Sequence, residues 1–80
     1  MIRPKKETVY LKDFGKRLVA LRRSAGMTQE ELAIKSGLSA ETISSLERGV
    51  RFTRISYLHS ISAALGLEID DLFKGLKHKR

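Results

Sequence analysis

The chain has no cysteine, no tryptophan and one proline, Pro4, and its aromatic complement is two tyrosines and three phenylalanines. Without cysteine there is neither a disulfide framework nor a thiolate zinc site, which points to a reducing compartment. No apolar run approaches the roughly 18 residues of a membrane span, and the opening residues carry charge rather than a signal-type hydrophobic core. A cytoplasmic location is therefore expected. Acidic side chains are also scarce. Nine Asp and Glu face sixteen Lys and Arg, leaving a formal charge of +7 that suits a polyanionic partner. His59 and His78 are the only histidines, and no serine shares a sharp nucleophile turn with either. No catalytic, cofactor or metal site is expected, and the chain does not read as an enzyme. Its 80 residues suffice for one domain with one modest core.

What is present is helical periodicity. Residues 1–8 (MIRPKKET) lack it and read as a flexible basic arm. From Val9 onward Phe14, Leu18, Leu21 and Ala25 recur on one face, giving a first helix that ends at Gly26. Asp13 is a plausible N-cap for it, with a start near Tyr10 as the alternative. Thr28 followed by Glu31 forms a capping box for a second helix, which buries Leu32 and Ala33 and stops at Gly37. Leu38 plugs the turn, Ser39 caps a third helix over residues 40–48, and that helix buries Ile43 and Leu46. Residues 50–54 (VRFTR) form a basic connection. A fourth helix, capped by Ser56 or Thr53, buries Tyr57 or Leu58, Ile61, Ala64 and Leu65. A short fifth helix from Ile69 to about Lys74 offers Ile69, Leu72 and Phe73 to the core. The prediction is an all-α domain over residues 9–74 followed by a basic tail, 75–80.

Residues 28–49, TQEELAIKSGLSAETISSLERG, thus spell two short helices around a tight glycine-containing turn, the form of a reader of DNA grooves. With Ile43 and Leu46 inward, Ala40, Glu41, Ser44, Ser45 and Arg48 are turned toward the groove as candidate base readers. Glutamate accepts from cytosine N4, alanine packs on a thymine methyl, and serine bonds to several bases. Gln29 opens the second helix, where amides and dipole favour a phosphate. Arg51 and Arg54, with Thr53 between them, are candidate phosphate clamps on the far side.

The same stretch closely resembles the phage-repressor and Cro-like (XRE-like) helix-turn-helix family of transcriptional regulators. The likeness extends through FGKRLVALRRSAGM upstream and LHSISAALGLEIDDLF downstream. The resemblance implies a compact five-helix, lambda-repressor-like domain that binds double-stranded DNA as a homodimer on palindromic operators, without cofactor. It implies that Gln29 bonds phosphate, that the residues from Ser39 to Thr42, together with Ser45, approach bases and phosphates, and that Arg22 pairs with Glu47 as structural support. Alanine and glutamate stand where many relatives place longer donors, and the proline common in the loop after the third helix is missing. A stand-alone regulator is expected, with restriction-modification controller proteins as the leading subclass and phage-type repressors or antitoxins as competitors. A different class, an adaptor that keeps the fold and has lost DNA, is the remaining alternative. Leu67, Ile69, Leu72, Phe73 and Leu76 exceed what one small core buries comfortably, so they are the expected dimer surface.

Overall fold

The computed structural model describes residues 6–76. Four α-helices are followed by a short 3-10 helix: α1 Lys6–Ser24, α2 Gln29–Ser36, α3 Ala40–Glu47, α4 Ile55–Ala64 and the 3-10 helix Ile69–Phe73. The all-α class is as expected, and the fifth helix is wound more tightly than an α-helix.

The first helix begins earlier than its sequence signals suggest. Asp13 does not cap it but lies in its interior, because Tyr10 and Leu11 carry the Phe14 and Leu18 stripe one turn upstream and both are half-buried. Lys6, Glu7 and Thr8, expected in the arm, form the opening of α1. Residues 1–5 of that arm, and residues 77–80 of the expected tail, lie outside the described residues. Leu76, also expected in the tail, packs against the core.

Phe14, Leu18, Leu32, Ala33, Ile43, Leu46, Leu58, Ile61 and Leu72 form that core. α3 lies between α1 and α2, α4 packs on α2, and the 3-10 helix closes the bottom against α1 and α4. Both glycine-dependent contacts involve α1 and the end of α3. A Cβ at Gly15 would collide with the Glu47 carbonyl and lie 2.8 Å from the Leu46 carbonyl oxygen. At Gly49, with φ of 70°, a Cβ would fall 2.7 Å from the Lys12 Cα. Hydrogen at these positions lets the two backbones approach directly, and Lys12 Nζ adds a bond to the Arg48 carbonyl at 3.4 Å.

Neither Ser56 nor Thr53 caps α4. The N-cap position belongs to Arg54, whose side chain makes no cap bond, and Ser56 lies inside the helix where its carbonyl accepts from Ser60 Oγ. The final helix tightens because Asp71 folds back on its own start. Its carboxylate accepts from the Glu68 amide at 3.0 Å and its amide donates to the Glu68 carbonyl at 3.0 Å. Arg17 then holds the Asp71 carbonyl through Nε and Nη2 at 3.2 and 2.9 Å. The Asp71 carboxyl sits below the usual carboxylate range, first through its bond to Lys74 and then through the Glu68 amide. Phe73 does not enter the core as expected. It remains 37% exposed beside Phe14, with ring centres 5.3 Å apart.

Gly15→Ala is expected to lower stability by about 1–3 kcal/mol, because the added methyl must push α1 off the carbonyls of α3. Urea unfolding checks this as a lower midpoint at an unchanged slope.

Candidate nucleic-acid interface

The helix-turn-helix is built by local hydrogen bonds that the sequence foretells. Thr28 Oγ1 accepts from the Glu31 amide at 3.0 Å, and Glu31 Oε1 accepts from the Thr28 amide at 2.8 Å. Gly37 ends α2 in the left-handed region, and the Leu38 amide returns to the Ala33 carbonyl at 3.0 Å. Ser39 Oγ then accepts from the Thr42 amide at 3.1 Å and lies 2.9 Å from Thr42 Oγ1. The caps leave only Gly37, Leu38 and Ser39 between the two helices. Leu38 anchors the turn by packing on the core.

A single carboxylate fixes how this unit is aimed. Arg22, in the last turn of α1, donates from Nε to Glu47 Oε2 at 2.6 Å and from Nη2 to Oε1 at 3.1 Å. Its Nη1 donates to the Met27 carbonyl at 2.7 Å, just before α2. Gln29 Nε2 also donates to Glu47 Oε1, at 2.8 Å. Arg22 and Glu47 are buried, so the fork-shaped guanidinium meets a carboxylate in reduced dielectric with its geometry fully used. The hydrogen bond to Glu47 raises the Arg22 pKa above its ordinary value and outweighs the lowering effect of burial. This arginine keeps its charge at any pH a cell reaches.

The candidate base readers divide. Glu41 and Arg48 are exposed and Ser44 is half-buried beside them, whereas the half-buried Ala40 packs against the core. Arg48 Nε donates to Ser44 Oγ at 3.2 Å, tying two of them together. Ser45 is not on that face, being only 2% exposed. α3 has little more than two turns and is covered by α1 on one side and α2 on the other. Its inward arc is therefore wider than a stripe of Ile43 and Leu46 alone, and it takes in Ser45 and Glu47.

The candidate phosphate residues also separate. Gln29 has one amide hydrogen committed to Glu47, leaving the second available. Thr42, Arg51, Thr53 and Arg54 line one open recess of about 580 Å³ together with Phe52 and Tyr57. Ser39 borders this region through its contact with Thr42. Arg54 Cζ lies 5.0 Å from the centre of the Tyr57 ring. Among the described residues, no hydrogen bond or ion pair engages the guanidinium of either Arg51 or Arg54, whereas Arg17, Arg22 and Arg48 all donate within the fold.

Of the expected dimer residues, Leu72 is wholly buried and cannot serve, since it fills the space beneath α1 and α4. Ile69 and Leu76 pack partly on the core, Leu67 is half-buried, and Phe73 is the most open. Sequence periodicity does not find the exposure of Val50, Phe52 and Ile55 around the α3–α4 connection. It leaves Tyr57 and Leu58 as alternatives for the core, and the structure buries Leu58 and leaves Tyr57 half-buried; the Arg54 to Tyr57 spacing of three across a helix start was a visible signal for a paired cation and ring.

Comparison with known proteins agrees with this architecture. The helix-turn-helix family pattern matches residues 18–72. An HTH-type transcriptional regulator of Sinorhizobium fredii, y4dJ, is 43% identical over 53 residues, covering 66% of this chain and 69% of the relative. The control protein C.BamHI of Bacillus amyloliquefaciens is 38% identical over 60 residues, 74% of each chain. The crystal structure of the restriction-modification controller protein C.AhdI from Aeromonas hydrophila superposes with a TM-score of 0.79 at 37% identity, covering 81% of this chain and 98% of that one.

Glu47→Ala leaves the Arg22 guanidinium buried without its carboxylate and is expected to cost about 3–5 kcal/mol. At about 0.05–0.15 kcal/mol per residue, that is a large share of the total stability. Replacing both partners together, Arg22→Met with Glu47→Leu, is expected to cost less than Glu47→Ala alone. Chemical unfolding of the three proteins measures the difference.

Proposed function

The chain belongs to the helix-turn-helix family of DNA-binding transcriptional regulators of the XRE type, and from that premise we propose that it acts as a homodimer on a palindromic operator, with α3 in the major groove. The observation that carries this reading is the pairing of two surfaces. A small outward face of Glu41, Ser44 and Arg48, with Ala40 at its core-packed edge, lies on α3, next to a recess whose two arginines make no hydrogen bond or ion pair among the described residues.

In this reading α3 enters the groove by its N-terminal end. Glu41 accepts from the amino group of a cytosine, Ala40 contacts a thymine methyl, and Ser44 serves as a short donor or acceptor. Arg48 reaches a guanine only after leaving Ser44. The second amide hydrogen of Gln29 and the hydroxyls of Ser39 and Thr42 bond phosphates on one side. Arg51, Thr53 and Arg54 hold the backbone on the other and set the register without reading sequence. The buried Arg22–Glu47 pair fixes the angle at which α3 leaves the body.

Two copies joined through Leu67, Phe73 and the open edges of Ile69 and Leu76 place their α3 helices about 34–36 Å apart, one turn of DNA. The named relatives C.BamHI and C.AhdI favour a restriction-modification controller as the role.

Selection of bound sites from random duplex DNA tests the reading and is expected to return two inverted half-sites one turn apart. A single unpaired half-site, together with a monomer at tens of micromolar on DNA, would refute the dimer. On the selected duplex, Arg51→Ala and Arg54→Ala are each expected to reduce the slope of log affinity against log salt by about 0.9. Binding without any salt dependence would sink the phosphate assignments.

A further inference from the structure

We propose that Tyr57 is a positioning residue for DNA binding, its ring holding the Arg54 guanidinium over the recess where a backbone phosphate docks. This rests on the reading of the chain as a DNA binder and assigns a role within that site to a residue outside the helix-turn-helix.

Three observations converge. Arg54 occupies the N-cap position of α4, yet its side chain makes no cap bond, so helix capping does not account for where the guanidinium sits. Its Cζ lies 5.0 Å from the Tyr57 ring centre, within the range at which the negative face of an aromatic ring attracts a cation. Among the described residues its nitrogens engage no acceptor, so the ring restrains the guanidinium without using any of its five N–H donors.

A guanidinium held this way is restrained and still available. Arginine is flexible along its stem, and freezing it on binding opposes affinity. Contact with the ring removes part of that freedom beforehand. Tyr57 is itself well placed to act as a fixed platform. It is half-buried, sits in the first turn of α4, and is followed directly by Leu58, which is anchored in the core. Thr42 and Thr53 line the same recess, with the Thr42 hydroxyl 2.9 Å from Ser39 Oγ, and add hydroxyl groups to it. The resulting chemistry, a planar cation with flanking hydroxyls, suits a phosphodiester oxygen pair.

A double-mutant cycle tests the proposal, using a mixed-sequence DNA duplex of two helical turns at low salt. Tyr57→Leu is expected to weaken binding by about two- to fivefold in the otherwise unaltered chain. In the Arg54→Ala background the same change should have no effect. Tyr57→Phe, which keeps the ring, should bind like the unaltered protein. If Tyr57→Leu does not fold, Tyr57→Met fills a similar volume and takes its place in the cycle. An equal loss in both backgrounds would overturn the proposal, as would a Tyr57→Phe loss matching that of Tyr57→Leu. If the unaltered chain fails to bind the duplex, the DNA reading falls and this inference with it. Normal binding with an additive cycle removes the inference alone.

Discussion

The structure depends on one buried ion pair, Arg22 with Glu47. Its carboxylate sits at the last residue of α3 and receives Arg22 from α1 and Gln29 from the start of α2. Ion pairs of this kind contribute little net stability when compared with well-packed apolar substitutes, because both charges must be desolvated. What the pair supplies here is direction. Gly15 brings the α1 backbone against the Leu46 and Glu47 carbonyls at the same end of α3. Contact without side chain and contact through a charged side chain thus converge on two adjacent residues. The C-terminal end of α3 is clamped, and its N-terminal end projects.

The distribution of cations follows the same division. A formal charge of +7 suggests a broadly basic surface, but several arginines serve the fold. Arg22 ties α1 to α3, Arg17 holds the 3-10 helix, and Arg48 bonds back to Ser44. Arg51 and Arg54 lie in the connection after α3 with their donors unengaged among the described residues. These unengaged guanidinium groups lie beside α3, in the connection that follows it.

Features set by neighbours in sequence were legible before the structure. The Thr28–Glu31 box, the Gly37 exit, the Ser39 cap and the burial of Ile43 and Leu46 each depend on a spacing of a few residues. Features set by neighbours in space were not. Asp13 has the chemistry of a cap, but the Tyr10 and Leu11 stripe overrides it and continues the helix. Ser45 is polar and was expected on the outward face of α3, yet covering α3 from two sides buries it. Leu72 reads both as core and as interface in the sequence, and the hollow between α1 and α4 decides for the core. The Arg22–Glu47 pairing was legible only through family resemblance, since a separation of 25 residues carries no local signal. The link from Gln29 to the same carboxylate was not foreseen at all.

The clamped and projecting ends of α3 also differ in how freely they tolerate change. Ser45, Leu46 and Glu47 are enclosed by α1 and α2, so substitutions there alter folding before they alter recognition. Glu41 is exposed and makes no side-chain hydrogen bond among the described residues, whereas Ala40 beside it packs against the core. These two positions are separated from the aiming pair by more than a helical turn. Exchange of the Glu41 side chain therefore leaves the Arg22–Glu47 pair and the Gly15 contact in place, whereas exchange of Ser45, Leu46 or Glu47 breaks into the packed scaffold. The two ends of one short helix thus answer to different constraints, one set by packing and the other by solvent.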